Sequence, residues 1–169
     1  MASTKETDIK LNGFFQNGYV VADIDDAMAR LQHTHGAIEF RCFEPEIEAQ
    51  TPEGFGLVHV KVALAWIGTM QIELIQPISG YVRHYAAILD GGDAIRHHHI
   101  GLRVEDWDAT LEEIQASTLP IVYEGHFGDV KYIYVDATAT VGHQVEFLSA
   151  TPEGWEMLGW PDDLPAPTA

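Results

Sequence analysis

The stretch Gln16–Leu31, QNGYVVADIDDAMARL, is repeated later in the chain as His99–Ile114, HIGLRVEDWDATLEEI. A gapless alignment pairs a glycine, a valine and two aspartates of each stretch: Gly18 with Gly101, Val21 with Val104, Asp23 with Asp106, and Asp25 with Asp108. A second alignment, at a slightly different offset, pairs QIELIQP with QVEFLSA and therefore Glu73 with Glu146. A repeat of this length indicates a duplicated structural unit whose copies differ in the lengths of their loops.

Each copy of the repeat combines strand-like and helix-like segments. VHVKVALAWIG, MQIELIQP, VKYIYVDA and HQVEFLSA have the composition of strands, whereas DIDDAMARLQHTHG and EDWDATLEEIQAS predict helices that begin at acidic caps. We expect one domain over residues 13–160, built from two modules, 13–79 and 96–150. Three further segments are predicted: a flexible start at 1–12, a helix at 80–92 that joins the modules, and a flexible tail at 161–169.

Composition excludes several classes of protein. The 169 residues carry a formal net charge of −17, which opposes binding to nucleic acid. The apolar runs are too short for a membrane span, and the polar start, MASTKETDIKLNG, is unlike a signal peptide. The single cysteine, Cys42, can form no internal disulfide and is typical of a reducing compartment. We therefore expect a cytoplasmic protein without nucleic-acid or membrane partners.

Three consecutive histidines, His97, His98 and His99, begin the first strand of the second copy. Side chains alternate along a strand, so the sequence predicts that His97 and His99 share one face and that His98 takes the other. The repeat pairs His99 with Gln16, whereas the other two histidines are interpreted as structural. Each module therefore offers one polar residue from its first strand and one glutamate from its last.

Four motifs in a fixed order, QNGYVVADIDDAM, MQIELIQP, HHHIGLRVEDWDA and DATATVGHQVEFL, resemble the vicinal oxygen chelate superfamily over residues 14–149. That superfamily includes glyoxalase I, methylmalonyl-CoA epimerase, extradiol dioxygenases and bleomycin-resistance proteins. The resemblance implies an α+β fold in which two βαβββ modules form a cupped mixed sheet. It also implies that the first and last strands of the modules supply metal ligands, which are here Gln16, Glu73, His99 and Glu146.

The implied ligand set comprises an amide oxygen, an imidazole nitrogen and two carboxylates, whose charges balance one divalent ion. Ligand type alone does not distinguish zinc, nickel, cobalt, manganese and iron, and the resemblance slightly favours zinc. Both glutamates lie within apolar runs, IELI and VEFL, where an unpaired buried charge would cost free energy. The predicted cofactor is therefore one divalent metal ion per site, with positions left open for a chelating substrate.

A metal that binds a carbonyl oxygen stabilises the negative charge that develops when an adjacent proton is removed. This chemistry and the resemblance together predict proton transfer next to a carbonyl, by an isomerase, an epimerase or a glyoxalase-type lyase. The substrate would be a small molecule with carbonyl or hydroxyl oxygens. By the same resemblance Glu146 moves the proton and Glu73 mainly holds the metal, so both are predicted catalytic residues.

Two alternative functions stay open. A drug- or metabolite-binding resistance protein would use the same cup without catalysis. An extradiol-type dioxygenase, by resemblance, would carry histidine where this chain has Gln16, which disfavours that function. A glutathione substrate is also disfavoured, because Val20 and Pro77 replace the arginine and asparagine that accompany it in glyoxalase I of the eukaryotic kind.

Two further predictions concern the cavity and the assembly. Alternation along VHVKVALAW places His59 and Lys61 on one face, opposite the apolar residues of this strand. We assign that polar pair to substrate binding, and we interpret Tyr132 and Tyr134 as packing residues. A homodimer is expected because open sheets leave edges and apolar surface to cover, and because modules of the superfamily pair within or across chains.

Overall fold

Strands and helices follow one another in two similar runs in the computed structural model of the chain, which describes residues 12–36, 38–162 and 164–165. The first run comprises β1 Phe14–Val20, α1 Ile24–His35, β2 Arg41–Phe43, β3 Glu46–Thr51, β4 Gly54–Ile67 and β5 Met70–Gly80. The short helix α2 Arg83–Ala86 follows. The second run comprises β6 Arg96–Arg103, α3 Trp107–Ala116, β7 Ile121–Phe127, β8 Val130–Asp136, α4 Thr138–Val141, β9 Gln144–Ala150 and α5 Pro152–Met157. Most of the two predicted flexible ends, 1–12 and 161–169, lies outside the described residues.

Aspartates at equivalent positions of the sequence repeat begin α1 and α3. The carboxylate of Asp23 accepts a hydrogen bond from the backbone N–H of Asp26, and that of Asp106 accepts one from Ala109, each at 3.0 Å. A side chain in this position satisfies one of the free N–H groups of the first helical turn. The repeated aspartates are therefore the acidic caps that the sequence predicts.

The strands form one mixed sheet in the order β2-β4-β3-β7-β8-β9-β6-β1-β5, and β4 also pairs with β5. All of these strands except β2 therefore close into a ring. The two runs meet at the antiparallel pairs β1–β6 and β3–β7, and within each run the first strand lies parallel to the last. The predicted α+β fold with a cupped mixed sheet is confirmed.

Apolar side chains fill three clusters, one inside the ring and the others beneath α1 and α3. The first cluster includes Phe15, Val60, Ile75, Tyr85 and Tyr123. The second joins Ile24 and Ala27 of α1 to Ala63 and Leu74, and the third joins Ile114 of α3 to Leu102, Ile133 and Phe147. Because side chains alternate along each strand, the same strands serve the ring interior and the outer layers.

The connection between the two runs is less helical than predicted. α2 spans only Arg83–Ala86 rather than 80–92. Val82 precedes it and offers no side-chain acceptor to the first turn, and Asp90 has a positive φ of 49° that a continuing helix cannot contain. The segment instead brings Tyr85 into the ring interior.

The helices are short. The longest of those described, α1, has 12 residues. Within the described ranges, no helix combines the length and the apolar character needed to cross a membrane.

Candidate metal centre

Four polar side chains from four neighbouring strands meet inside the ring. Nε2 of His99 on β6 lies 3.2 Å from Glu73 Oε2 on β5 and 3.2 Å from Glu146 Oε2 on β9. The same nitrogen lies 3.3 Å from Gln16 Oε1 on β1. Ligand atoms of the histidine and the two glutamates all lie within 4.8 Å of one another. The structure thus brings together, within one chain, all four residues that the resemblance implies as ligands.

Two glycines of the repeat make room for these side chains. Gly18 on β1 stands opposite Glu73 on one side and His99 on the other, and Gly101 on β6 stands opposite Gln16. A Cβ atom at Gly18 would lie 1.9 Å from Cε1 of His99, and one at Gly101 would lie 2.5 Å from Oε1 of Gln16. Neither position accepts a larger residue without displacing a side chain of the centre.

Gly18→Ala is expected to lower the affinity for a divalent ion at least about tenfold, because the added methyl group displaces the His99 ring from the carboxylates. Competition with a chromophoric chelator measures this affinity. Gly92→Ala is the matched control, since a Cβ atom there would meet its nearest neighbour at 3.7 Å. Equal affinities for the two variants would contradict the role assigned to Gly18.

Burial and mutual contact shift the protonation of the centre. Burial lowers the pKa of His99, but the carboxylates of Glu146 and Glu73 outweigh this effect and raise the pKa to about 9. Burial raises the pKa of Glu73, and the charge of Glu146 adds to that shift while His99 opposes it. Without a metal, the imidazolium of His99 therefore balances carboxylate charge.

Two buried carboxylate oxygens of the centre, Glu73 Oε2 and Glu146 Oε2, have no hydrogen-bond donor. The adjacent Nε2 of His99 is in hydrogen-bonding geometry with Gln16 Oε1, and one N–H cannot also serve two carboxylates. A buried carboxylate oxygen without a partner costs free energy unless a cation compensates it. A set of one imidazole nitrogen and three oxygens around a common point fits a divalent ion.

Gln16 is oriented by a second buried amide, Gln71, which the sequence analysis missed. Nε2 of Gln16 donates to Oε1 of Gln71 at 2.9 Å, and Nε2 of Gln71 donates to the carbonyl of Leu158 at 2.8 Å. This chain of donors occupies the amide nitrogen of Gln16 and leaves its oxygen directed at the centre. Gln71 stands opposite Gln16 in the parallel β1–β5 pair, and its sequence signal was its position two residues before Glu73, on the same face of the strand.

The structure corrects the predicted orientation of His98. The β1–β6 register shifts between Gly18, opposite His99, and Tyr19, opposite His97, so His98 is the extra residue of a β-bulge. The bulge places the His98 ring beside that of His99, with their Nδ1 atoms 2.9 Å apart. His97 packs edge-on against Tyr19 instead. Simple alternation fails here because it assumes a regular strand.

His98 influences which nitrogen of the His99 ring carries hydrogen. One of the two facing Nδ1 atoms must donate to the other. Burial and the neighbouring histidines lower the pKa of His98 well below its usual value, so His98 is neutral. A neutral His98 that accepts at Nδ1 places hydrogen on Nδ1 of His99, and Nε2 of His99 then remains the atom for an ion.

An apolar cavity of about 80 Å³ lies beside the carboxylates. Glu73 and Glu146 are the only charged side chains among the described residues that line it. The walls are aliphatic and aromatic, and examples are Phe43, Val62, Phe127, Leu148 and Met157. Cavities with apolar walls and a few convergent polar groups are typical of small-molecule sites.

Four tyrosines, Tyr85, Tyr123, Tyr132 and Tyr134, belong to the inner core and also line the cavity. Packing is therefore only part of the role of Tyr132 and Tyr134. Burial raises the pKa of Tyr134 well above its usual value, with Glu146 adding to the shift, and burial raises the pKa of Tyr123 to about 12. These hydroxyls stay protonated at neutral pH. The sequence signal was alternation along VKYIYVD, which places Tyr132 and Tyr134 on one face of β8.

The predicted substrate-binding pair, His59 and Lys61, lies away from this cavity. β4 instead lines the cavity with its apolar face, which includes Val60, Val62 and Leu64. Nε2 of His59 lies 3.1 Å from Glu44 Oε1, and Nδ1 lies 3.3 Å from Ser79 Oγ. This placement corrects the expectation that the polar face of the strand lines the cup, because the body of the cup is hydrophobic.

A sequence profile of the Glyoxalase/Bleomycin resistance protein/Dioxygenase superfamily matches residues 15–135. The chain belongs to this superfamily. The match runs from β1 into β8, and it confirms the resemblance that the ordered motifs indicate. Among curated protein sequences, none matches the chain.

Solved structures share the superfamily fold at low sequence identity. Methylmalonyl-CoA epimerase from Mycobacterium tuberculosis has a TM-score of 0.58 at 19% identity, covering 90% of this chain and 95% of that chain. A variant of the Streptomyces coelicolor methylmalonyl-CoA epimerase, in complex with 2-nitronate-propionyl-CoA, has a TM-score of 0.59 at 19% identity, covering 84% and 99%. A hypothetical protein from Bacillus halodurans has a TM-score of 0.54 at 19% identity, covering 84% and 96%.

Proposed function

We propose that this superfamily member is a metal-dependent enzyme that moves a proton next to a carbonyl group, as an isomerase, an epimerase or a glyoxalase-type lyase. The observation that carries the proposal is a pair of buried carboxylate oxygens, on Glu73 and Glu146, that have no hydrogen-bond donor. Both oxygens lie beside the imidazole of His99. The shared fold with methylmalonyl-CoA epimerases supports the reaction class. The substrate is a small molecule with carbonyl or hydroxyl oxygens.

One divalent ion would be held by four residues of the centre, Gln16, Glu73, His99 and Glu146. When bound, such an ion supplies positive charge that stabilises an enolate-like oxygen. Zinc, nickel, cobalt, manganese and iron all accept this mixture of oxygen and nitrogen ligands, and we favour zinc slightly from the resemblance.

Glu146 is assigned to proton transfer and Glu73 mainly to holding the metal. Both carboxylates line the cavity, so both can reach a substrate whose oxygens bind at the centre. Tyr134 stands opposite Glu146 in the β8–β9 pair, and both residues line the cavity.

The purified protein is expected to bind about one divalent ion per chain. Elemental analysis after reconstitution tests this, and His99→Ala should abolish most of the binding, because His99 lies between both carboxylates. His97→Ala is the matched control, since His97 packs against Tyr19 outside the centre. Reconstituted wild-type protein without metal, or a His99→Ala variant with unchanged affinity, would remove the basis of the proposal.

The reaction itself is tested with 2-hydroxy and 2-oxo carbonyl compounds. Metal-loaded protein should exchange the α-proton of a substrate with deuterated water, as followed by NMR. A protein that binds both metal and such compounds without exchange would support the alternative function, a drug- or metabolite-binding resistance protein. Oxygen uptake with catechols would instead indicate the dioxygenase alternative.

We also propose a homodimer. Because the ring closes within one chain, most strands have hydrogen-bonded neighbours on both sides, and unpaired strand edges give little reason for dimerisation. The exposed apolar side chains are the stronger reason. Phe55 and Leu57, on one face of β4, are 65% and 46% exposed. Light scattering at micromolar concentration should give the mass of two chains, and Phe55→Glu should shift it toward one. A monomer at every concentration would rule the dimer out and leave the metal centre unaffected.

We propose a cytoplasmic location for the protein. Its single cysteine, Cys42, is free and exposed, which suits a reducing compartment.

A further inference from the structure

We propose that the substrate is an uncharged ketone with an aryl or alkyl body that carries its metal-binding oxygens at one end. Compounds that would place a phosphate or carboxylate group against the walls of the cavity are excluded. This inference rests on the proposed function, because the substrate oxygens are taken to bind beside Glu73 and Glu146. It goes further by assigning the chemistry of the part of the substrate that fills the cavity.

The cavity has hydrophobic walls and no cation. Phe43, Val60 and Val62 come from β2 and β4, and Phe127 and Leu148 come from β7 and β9. Among the described residues that line it, none is lysine, arginine or histidine. An aryl or alkyl group placed here gains free energy in proportion to the apolar area removed from water.

Basic residues on the cavity-lining strands are directed elsewhere. Lys61 and Lys131 alternate with lining residues of β4 and β8, so they lie on the outer face of the ring. Arg41 shares the face of β2 with Phe43 but does not line the cavity; its side chain is exposed, and its Nη1 donates to the backbone carbonyl of Glu156 at 3.0 Å. The walls therefore supply no partner for a phosphate or a carboxylate.

A substrate with an anionic body would find no cation in the cavity walls and would be repelled by the negative charge of the protein. A divalent ion would balance the charges of Glu73 and Glu146 but would leave no positive charge for a second anionic group farther along the cavity. Burying such a group against apolar walls costs free energy, and like charges across an interface add to that cost. The net charge of −17 on the whole chain raises it further.

The tyrosines supply the polar contacts that suit a neutral substrate. The rings of Tyr123 and Tyr132 are stacked with centroids 5.5 Å apart, and Tyr134 meets Tyr123 edge-on at 5.5 Å. Hydroxyls of the stacked pair lie 3.4 Å apart and stay protonated, so one donates to the other and the second can donate to a carbonyl or hydroxyl oxygen. The faces and edges of the rings favour an aryl body over an aliphatic one.

Three probes with the same hydroxyketone end distinguish the effect of charge on binding from the effect of size. They are hydroxyacetophenone with its hydroxyl on the carbon next to the ketone, the para-carboxamide of this compound and its para-carboxylate. Isothermal titration calorimetry on the metal-loaded full chain measures the affinity of each. We expect hydroxyacetophenone to bind most tightly, and the carboxamide to bind at least about tenfold more tightly than the isosteric carboxylate. A carboxylate that binds as tightly as the carboxamide overturns the inference, and so does the absence of binding by all three probes.

A cation added to the wall should change this preference. Phe127→Arg is expected to improve binding of the carboxylate about fivefold, whereas the matched control Phe127→Leu should not. Phe43→Arg is a second variant on a different strand. The Phe43 ring packs edge-on against that of Phe127, with ring centroids 6.3 Å apart. Circular dichroism verifies that each variant folds. Failure of both folded arginine variants to improve carboxylate binding contradicts the assigned reason for the preference.

Metal content and α-proton exchange of the same samples separate the inference from the proposed function. Protein that holds no metal but still prefers the uncharged probe contradicts the proposed function alone. Protein that holds metal and exchanges the α-proton of the carboxylate faster than that of hydroxyacetophenone contradicts the substrate class alone.

Discussion

Glu146→Gln is expected to slow exchange of the substrate α-proton about 10²- to 10⁴-fold while the protein keeps much of its metal. Glutamine preserves the size of the side chain and a ligand oxygen, but it cannot accept the proton. Exchange with deuterated water, followed by NMR on metal-loaded protein, measures the rate. The metal content of the same sample shows whether any loss reflects missing metal or missing base.

Glu73→Gln is the matched comparison, because Glu73 occupies the equivalent position of the repeat and its Oε2 lies at the same 3.2 Å from Nε2 of His99. This variant should weaken metal binding more than it slows exchange in metal-saturated protein. Wild-type exchange by Glu146→Gln together with slow exchange by Glu73→Gln would reverse the two roles. If neither variant affects exchange with metal bound, neither glutamate is the base and both assignments are wrong.

The affinity for a divalent ion is expected to rise about tenfold per pH unit, and so about 10²-fold from about pH 6.5 to about pH 8.5. The cause is His99, whose pKa in the metal-free protein is raised to about 9 by the adjacent carboxylates. Its imidazolium must lose a proton before Nε2 can bind an ion, so protons compete with the metal at every pH below that value. A chelator of known pH dependence, titrated against the protein, measures the affinity.

The sign follows from the direction of the shift. A raised pKa keeps the proton on His99 at neutral pH, and metal binding then releases it. Above about pH 9 the ring is neutral in the metal-free protein, and the dependence should level off. Calorimetry in buffers with different ionisation enthalpies should count about one proton released per ion at neutral pH. An affinity that is flat across the range, or that falls as pH rises, would contradict the charge balance described for this centre.

Much of the fold could be predicted from the sequence because the relevant signals are local. Asp23 and Asp106 are helix caps that act within one turn, and strand alternation acts between near neighbours. The duplication then relates two local patterns without any knowledge of their contact. It also pairs Gln16 with His99, and these two side chains do meet inside the ring. Family membership follows from the same ordered motifs.

The sequence by itself thus determined most of the strand and helix pattern and the duplication, and its resemblance to the superfamily identified the polar residues that converge on the centre. Only the tertiary structure decided that both modules of one chain close the ring and that a bulge places His98 beside His99. It also decided that the apolar face of β4, and not the face with His59, lines the cavity. Each of these depends on the register between strands far apart in the chain. Alternation along one strand defines two faces, but only the strands packed around it decide which face is buried and where an extra residue is inserted.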